Sequence, residues 1–286
     1  MQLKFIRGMW GMEQPTLAAN LQMIKNGGFD GVEMSAPADP VQRQELQTQL
    51  RDLDLLFVAQ QWTEGASPKE HAQSFELQYR RNAELNPVLV NSHTGKDYFT
   101  TANNLSICRK AAALEQELGF TVTHEIHRGR MTFSTTATTA LLKKMPELKL
   151  TADFSHWCCV HESYLQDQDE AMHAAIAQSH HIHARVGFPE GPQVSDPRAP
   201  EWEGAVDFHV QWWQKIVDHH MQIGTKVLTI CPEFGPPDYM MTATGCRFVG
   251  NQLLYERFAE RATAILASQV LVVLSAYGGC PSVGIL

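Results

Sequence analysis

Four short motifs gather the residue types that hold cations and move protons: HEIHRGR at 124–130, DFSH at 153–156, HIHAR at 181–185 and PEF at 232–234. Between them, Glu125, Asp153, His183 and Glu233 offer three carboxylates and one imidazole to one divalent metal. A donor set rich in hard oxygen favours Mn²⁺, Mg²⁺ or Co²⁺ and leaves Zn²⁺ open; these motifs lack the sulfur ligands of structural zinc. Each residue alone has a plainer reading. A Glu at a strand end is usually solvated or faces a helix dipole, and an Asp there often caps the next helix. Their order, one after each of four successive strands, favours the metal.

Such a set needs strands that end at one face. The chain alternates short apolar runs with longer amphipathic ones, and the pattern predicts strands at 4–10, 29–35, 56–62, 88–93, 121–127, 149–154, 180–186 and 226–231. Helix-period segments fall at 16–26, 40–53, 68–85, 102–118, 134–144, 207–221 and 250–267. The stretches NGGFDGVE, ELGFTVTHE and QIGTKVLTICPE each read as helix stop, glycine turn and new strand. Strand–helix alternation implies a parallel sheet, because each parallel connection needs a crossover. Eight units in 286 residues predict an α/β fold, a single-domain (β/α)8 barrel, with an open doubly wound sheet as the alternative. The barrel is expected over 1–268, followed by a tail at 269–286 whose structure stays open.

A barrel's active site lies at the carboxyl ends of its strands, where all four motifs fall. Strand alternation puts Glu125 and His127 on one face, and His181, His183 and Arg185 on one face. Asp153 ends the sixth strand and His156 follows in the loop. The longest irregular stretch, 187–204, follows the seventh strand and is expected to shape the site.

Composition narrows the function. Hydrophobic residues at 44% and charged residues at 19% suit a soluble globular protein. A formal net charge of -8, with no long Lys/Arg run, argues against nucleic acid as a partner. The most apolar stretch, VLVVL at 270–274, is too short to span a membrane, and no secretory h-region opens the chain. Six cysteines without a CxxC pair, two of them adjacent (Cys158 and Cys159), point to reduced thiols in a cytoplasmic protein.

The ordered set resembles the xylose isomerase-like barrel superfamily of sugar isomerases and epimerases, hydroxypyruvate isomerase, inosose dehydratase and the apurinic endonuclease branch. The resemblance covers roughly the first 265 residues. GGFDGVEMS is similar to the family's second strand, and NSHTGKDYF at 91–99 to a substrate-facing loop. The family's Glu, Asp, His, Glu ligand pattern falls on Glu125, Asp153, His183 and Glu233, and the step from Asp153 to His156 places a histidine near metal and substrate. The resemblance implies a divalent-metal-dependent isomerase or epimerase acting on a sugar or small hydroxy-carbonyl compound. Glu125 and Glu233 would move protons through a metal-stabilised enediolate. His156 and Arg185 would bind substrate oxygens, with His93, His127 and Arg128 also facing substrate. One departure stands out. Epimerases of this kind commonly carry a further glutamate past the fifth-strand ligand, where HRGRMTFS has Arg128 and Arg130. That argues against a simple ketose 3-epimerase and fits a substrate with a carboxylate or phosphate. The alternative is one Arg paired to an acid and the other solvated.

Other residues carry plainer expectations. Glu33 reads as a pocket residue or, preferably, a buried partner of a neighbouring strand's polar group. Trp10 and Trp62 could wall a sugar ring, but core positions are expected. His161, His173, His209, His219 and His220 are expected at the surface. Cys158, Cys159 and Cys231 are expected to pack, and Arg247 could bind an anion. Three further functions compete: a dehydratase of the inosose dehydratase kind, an endonuclease-like phosphodiesterase, and a non-catalytic binding barrel. The partner is expected to be a sugar or polyhydroxy acid, and a homo-oligomer remains open.

Overall fold

The computed structural model describes residues 1–240. Eight strands, β1 (Gln2–Gly8), β2 (Gly31–Met34), β3 (Leu56–Trp62), β4 (Leu89–His93), β5 (Val122–Glu125), β6 (Leu150–Ala152), β7 (Ser179–Ala184) and β8 (Val227–Pro232), pair in parallel and in chain order. β8 closes on β1 through Gln2 opposite Val227 and Phe5 opposite Ile230. The expected (β/α)8 barrel is therefore the fold, and the open sheet is excluded.

Helices α1 (Leu17–Asn26), α2 (Pro40–Asp52), α3 (Pro68–Ala83), α4 (Thr101–Leu118) and α5 (Thr135–Lys144) each follow one of the first five strands. Each starts at a residue whose side chain accepts a bond from the first turn: Thr16, Asp39, Ser67, Thr100 and Ser134. These bonds satisfy amides that the helix cannot pair itself. Ser67 and Glu70 complete a reciprocal capping box. The remaining helices are α6 (Phe154–Val160), α7 (Asp169–Gln178) and α8 (Glu203–Gln222), and none of the three has a side-chain cap.

The core has two levels. Leu21, Ile24, Leu46, Phe75, Ile107, Leu141, Trp157, Trp213 and Ile216 seal the helices against the outside of the barrel. Inside, Ile6, Val58, Leu89 and Cys231 form an apolar plug. Strand alternation then brings polar residues up the barrel interior: Glu33, Asn91, Thr123, Thr151, His181 and Thr229, all buried.

Several expectations need correction. His156 lies in helix α6 and not in a loop, because β6 stops at Ala152 and the chain turns directly into a helix. Helix α7 had no counterpart in the expected segments. His209 and His220 are fully buried. His209 donates from Nδ1 to the Ala205 carbonyl (2.8 Å) and accepts at Nε2 from the Gly187 amide (3.2 Å), tying α8 to the end of β7. His220 bridges Thr225 and the Ser179 carbonyl. Trp10 and Trp62 are not core residues; they are 41% and 40% exposed at the barrel mouth. No helix among the described residues is long and apolar enough to cross a membrane. The segment 250–267, the run at 270–274, Cys246, Arg247, Cys280 and the boundary at 268 lie outside the described residues.

Candidate metal and proton-transfer site

Glu125, the last residue of β5, Asp153, just beyond β6, His183 near the end of β7, and Glu233, just beyond β8, converge at the carboxyl end of the barrel. Ligand atoms of Glu125, Asp153 and His183 all lie within 4.8 Å of one another. His183 Nδ1 is 2.9 Å from Glu233 Oε2 and 3.6 Å from Glu125 Oε2. The structure thus brings the four expected ligands together.

His183 is held from below. Both oxygens of Glu33 lie 3.0 Å from its Nε2, so Nε2–H donates to that carboxylate. His181 Nε2 (3.1 Å) and Asn91 Nδ2 (2.9 Å) donate to the same group. Asn91 Nδ2 also donates to Glu125 Oε2 at 2.7 Å, so one amide locks both carboxylates. Glu33 is therefore both of the things its sequence position allowed: it lines the cleft and it is a buried partner of β7. Burial raises its pKa, but His183 and His181 outweigh that and hold it well below the usual carboxylate range.

With its proton on Nε2, His183 turns an Nδ1 lone pair toward the Glu233 carboxylate. Neither His183 Nδ1 nor Glu233 Oε2 has a hydrogen-bond partner, although both are buried and close together. Two lone pairs facing each other call for a positive charge between them, either a metal ion or a second proton on the ring. Burial alone would discharge His183, yet Glu33, Glu125 and Glu233 raise its pKa well above the imidazole value. The donor set fits a hard or borderline divalent ion.

Asp153 occupies the N-cap position of α6, but its side chain makes no cap bond. Its oxygens instead accept from Ser155 Oγ and Arg185 Nη2. Burial raises Asp153 to about 6; Arg185 opposes this and the neighbouring Glu233 and Glu125 reinforce it. Arg185 Nη2 also donates to His156 Nε2 at 2.7 Å, and Nε donates to Ser155 Oγ at 3.2 Å. Complete burial, helped by the neighbouring His127 and Arg185, holds the His156 pKa well below the ordinary histidine range. At Glu125 and Glu233 the balance is different. Burial opposes their charge, but for Glu125 His93 and His183, and for Glu233 Arg185 and His183, hold both below the usual range. The site therefore presents two ionised carboxylates at its centre, as proton transfer requires.

Above these residues opens a cleft of about 520 Å³, lined by Trp10, Trp62, Tyr239, His93, His127 and Arg185 together with Glu33, Glu125 and Glu233. Of the expected substrate residues, His93, His127 and Arg185 face it, whereas His156 supports Arg185 from behind. Arg128 is exposed at the rim, its guanidinium 5.2 Å from the Tyr239 ring centre. Arg130 is tied to the Thr63 and Gly95 carbonyls and packs structurally. Of the stretch 91–99, only His93 lines the cleft. From the loop after β7, Gln193 donates to the Gly235 carbonyl (3.1 Å) and accepts from the Gly235 amide (2.6 Å), pinning the segment that follows Glu233. A side chain at Gly235 would strike Trp10, with a Cβ 2.3 Å from its ring. Asn91, Tyr239 and Gln193 escaped the sequence reading. A neutral amide, or a lone aromatic past the last strand, carries no signal until the barrel closes.

Fold and site together define a (β/α)8 barrel with a buried carboxylate–histidine centre at the carboxyl ends of its strands. No protein-family model matches the chain, and no match was found among curated proteins. Solved structures match across nearly the full length. A xylose isomerase-like TIM barrel protein from Mycobacterium smegmatis, in complex with magnesium, has a TM-score of 0.60 at 13% identity, covering 96% of this chain and 97% of that one. The 3-keto-D-glucoside 4-epimerase from E. coli has a TM-score of 0.58 at 12% identity, covering 93% and 100%. A probable 3-DHS dehydratase from Bacillus anthracis, involved in petrobactin synthesis, has a TM-score of 0.58 at 13% identity, covering 95% and 98%. At these identities the likeness is one of fold, and in fold it agrees with the resemblance read from the motifs.

Proposed function

We propose that this protein is a divalent-metal-dependent isomerase or epimerase of a sugar or polyhydroxy carbonyl compound. One observation carries the reading: Glu125, Asp153, His183 and Glu233 converge, with His183 Nδ1 and Glu233 Oε2 buried, adjacent and unpartnered. The magnesium held by one protein of like fold, and the epimerase and dehydratase among the others, support it.

Glu125, Asp153, His183 and Glu233 would hold the metal. When bound, it supplies a Lewis acid that polarises adjacent substrate oxygens and offsets negative charge as a C–H bond breaks. Glu125, ionised and fixed by Asn91, takes the proton from the carbon beside the carbonyl, and the bond's electrons pass to the carbonyl oxygen as an enediolate. For isomerisation Glu125, now protonated, returns the proton to the neighbouring carbon while that carbon's hydroxyl proton passes to the former carbonyl oxygen. For epimerisation Glu125 loses its proton to solvent and Glu233, first protonated from solvent, delivers one to the opposite face of the same carbon. Arg185 holds a substrate oxygen through Nη1, which is buried without a partner. Trp10 and Trp62 lie at the mouth, where their ring faces can pack on C–H groups and exclude water.

The test is proton exchange. Ketoses and polyhydroxy acids would be incubated with Mn²⁺-loaded protein in D₂O and followed by NMR. Deuterium should enter at the carbon beside the carbonyl with wild type and not with Glu125→Gln. Loss of water from the substrate would move the assignment to a dehydratase. Exchange that survives Glu125→Gln would overturn the mechanism.

A further inference from the structure

The outer wall of the barrel holds a cavity that the centre at its mouth does not use. It has a volume of about 390 Å³ and lies between α4, the back of β5 and the chain that joins α5 to β6. Cys108, Ala111 and Ala112 on α4, Val122 on β5, and Met145 and Leu148 before β6 form its apolar walls. Two consecutive alanines on α4 leave space that larger side chains would fill.

His124 brings a polar group into this apolar space. Strand alternation turns it away from the barrel interior, opposite to Glu125, its neighbour in sequence. It is 3% exposed and lines the cavity. Its Nδ1 is 2.7 Å from Thr94 Oγ1, while its Nε2 has no hydrogen-bond partner among the described residues. A buried imidazole nitrogen left unsatisfied calls for a partner within the cavity. Burial, reinforced by the Lys149 charge, pushes the His124 pKa down to about 3, so the ring is neutral. The charged groups around it are already accounted for. Lys149 donates to Glu115 Oε1, Glu115 Oε2 accepts from the Val122 amide at 3.2 Å, and Glu147 is exposed to solvent.

We propose that this cavity binds a small neutral molecule, apolar apart from one hydroxyl, which His124 Nε2 recognises. Thr94 Oγ1 also lies 2.9 Å from Ser92 Oγ, so its single proton can point either way and His124 Nε2 can accept or donate. A hydroxyl serves both cases, whereas a carboxylate or ammonium would be buried without a compensating charge. The apolar walls supply the affinity and the imidazole the selection. The site is separate from the cleft at the mouth and does not depend on the metal reading. It places its ligand directly behind the strand that carries Glu125.

The experiment is an NMR titration of the full chain at pH 7, read on its backbone amides, with p-cresol as the probe and toluene as its match without the hydroxyl. The phenol is uncharged at that pH. The proposal expects saturable shifts at Ala111, Ala112, Val122 and Leu148, with a Kd of about 0.1–1 mM for a probe of this size. Toluene should bind about tenfold more weakly. His124→Leu should erase that difference. Ala112→Phe, at a half-buried position, should fill the cavity and abolish binding of both. No saturable shift, equal binding of the two probes by wild type, or shifts centred on Trp10 and Trp62 at the mouth would overturn the proposal. So would a preference for p-cresol that survives His124→Leu. Because the wild-type comparison is itself decisive, a variant that misfolds does not leave the proposal undecided.

Discussion

The two halves of the barrel are built by different rules. From β1 through α5, each helix starts on a side chain that caps it, and the crossovers keep a regular strand–helix alternation. From β6 onward, among the described residues, no helix has a side-chain cap, β6 is three residues long, and a 3₁₀ turn (Pro200–Trp202) precedes α8. Asp153 shows the trade directly. It stands where Asp39 stands in α2, yet Asp39 caps its helix while Asp153 gives its oxygens to Arg185 and Ser155. Local stability has been given up where the chain must aim side chains at one point.

That contrast can be broken at several positions. The largest effect is expected from Glu125→Gln, which keeps the shape of the side chain but removes the base. Exchange should fall by about 10³-fold with the melting temperature near that of wild type, checked by D₂O NMR and calorimetry. Next is Asp153→Ala in metal-free protein. It strands the buried Arg185 charge and should cost about 3–5 kcal/mol in urea unfolding.

Acid should also act on the later half. Burial pushes His209 down to about 4, opposed only in part by the Ala205 carbonyl that accepts from its Nδ1, and its Nε2 accepts from the Gly187 amide. A depressed pKa means the unfolded chain binds the proton more readily. This contribution is therefore complete above pH 6.5, the unfolded value, and is lost as pH falls through 4, about 3 kcal/mol in all. Denaturation at pH 7 and pH 4.5 on wild type and His209→Gln measures it, and the variant should show a shallower decline. Glu33→Gln removes the charge that fixes the His183 tautomer and should weaken Mn²⁺ binding about 10–100-fold by calorimetric titration. Smallest is Ser67→Ala in the capped half, expected to cost about 1 kcal/mol and to leave Mn²⁺ affinity unchanged.

The same division explains what was legible before folding. Strand and helix order follows from local periodicity, so β3 falls at the expected 56–62 and the other seven strands overlap theirs. The four candidate ligands were readable because each lies at or just beyond a strand end. Glu33 was not assigned to them because its contact with His183 spans 150 residues and exists only once the barrel closes. Helix α6 was missed because it is short and carries His156 and two cysteines where a surface helix would alternate charge. Trp10 and Trp62 read as core because aromatic residues at strand ends usually are, and only the cleft explains their exposure.

The central claim is that β5 at the end of the regular half and the strands of the irregular half aim Glu125, Asp153, His183 and Glu233 at one cation. The most direct test is anomalous diffraction from a crystal of the protein grown with Mn²⁺, recorded at the manganese edge. The account predicts a peak about 2.0–2.3 Å from one atom of each of the four residues, with His183 bound through Nδ1 and Glu33 still on Nε2. No peak there, with His183 Nδ1 hydrogen-bonded to Glu233, would contradict it.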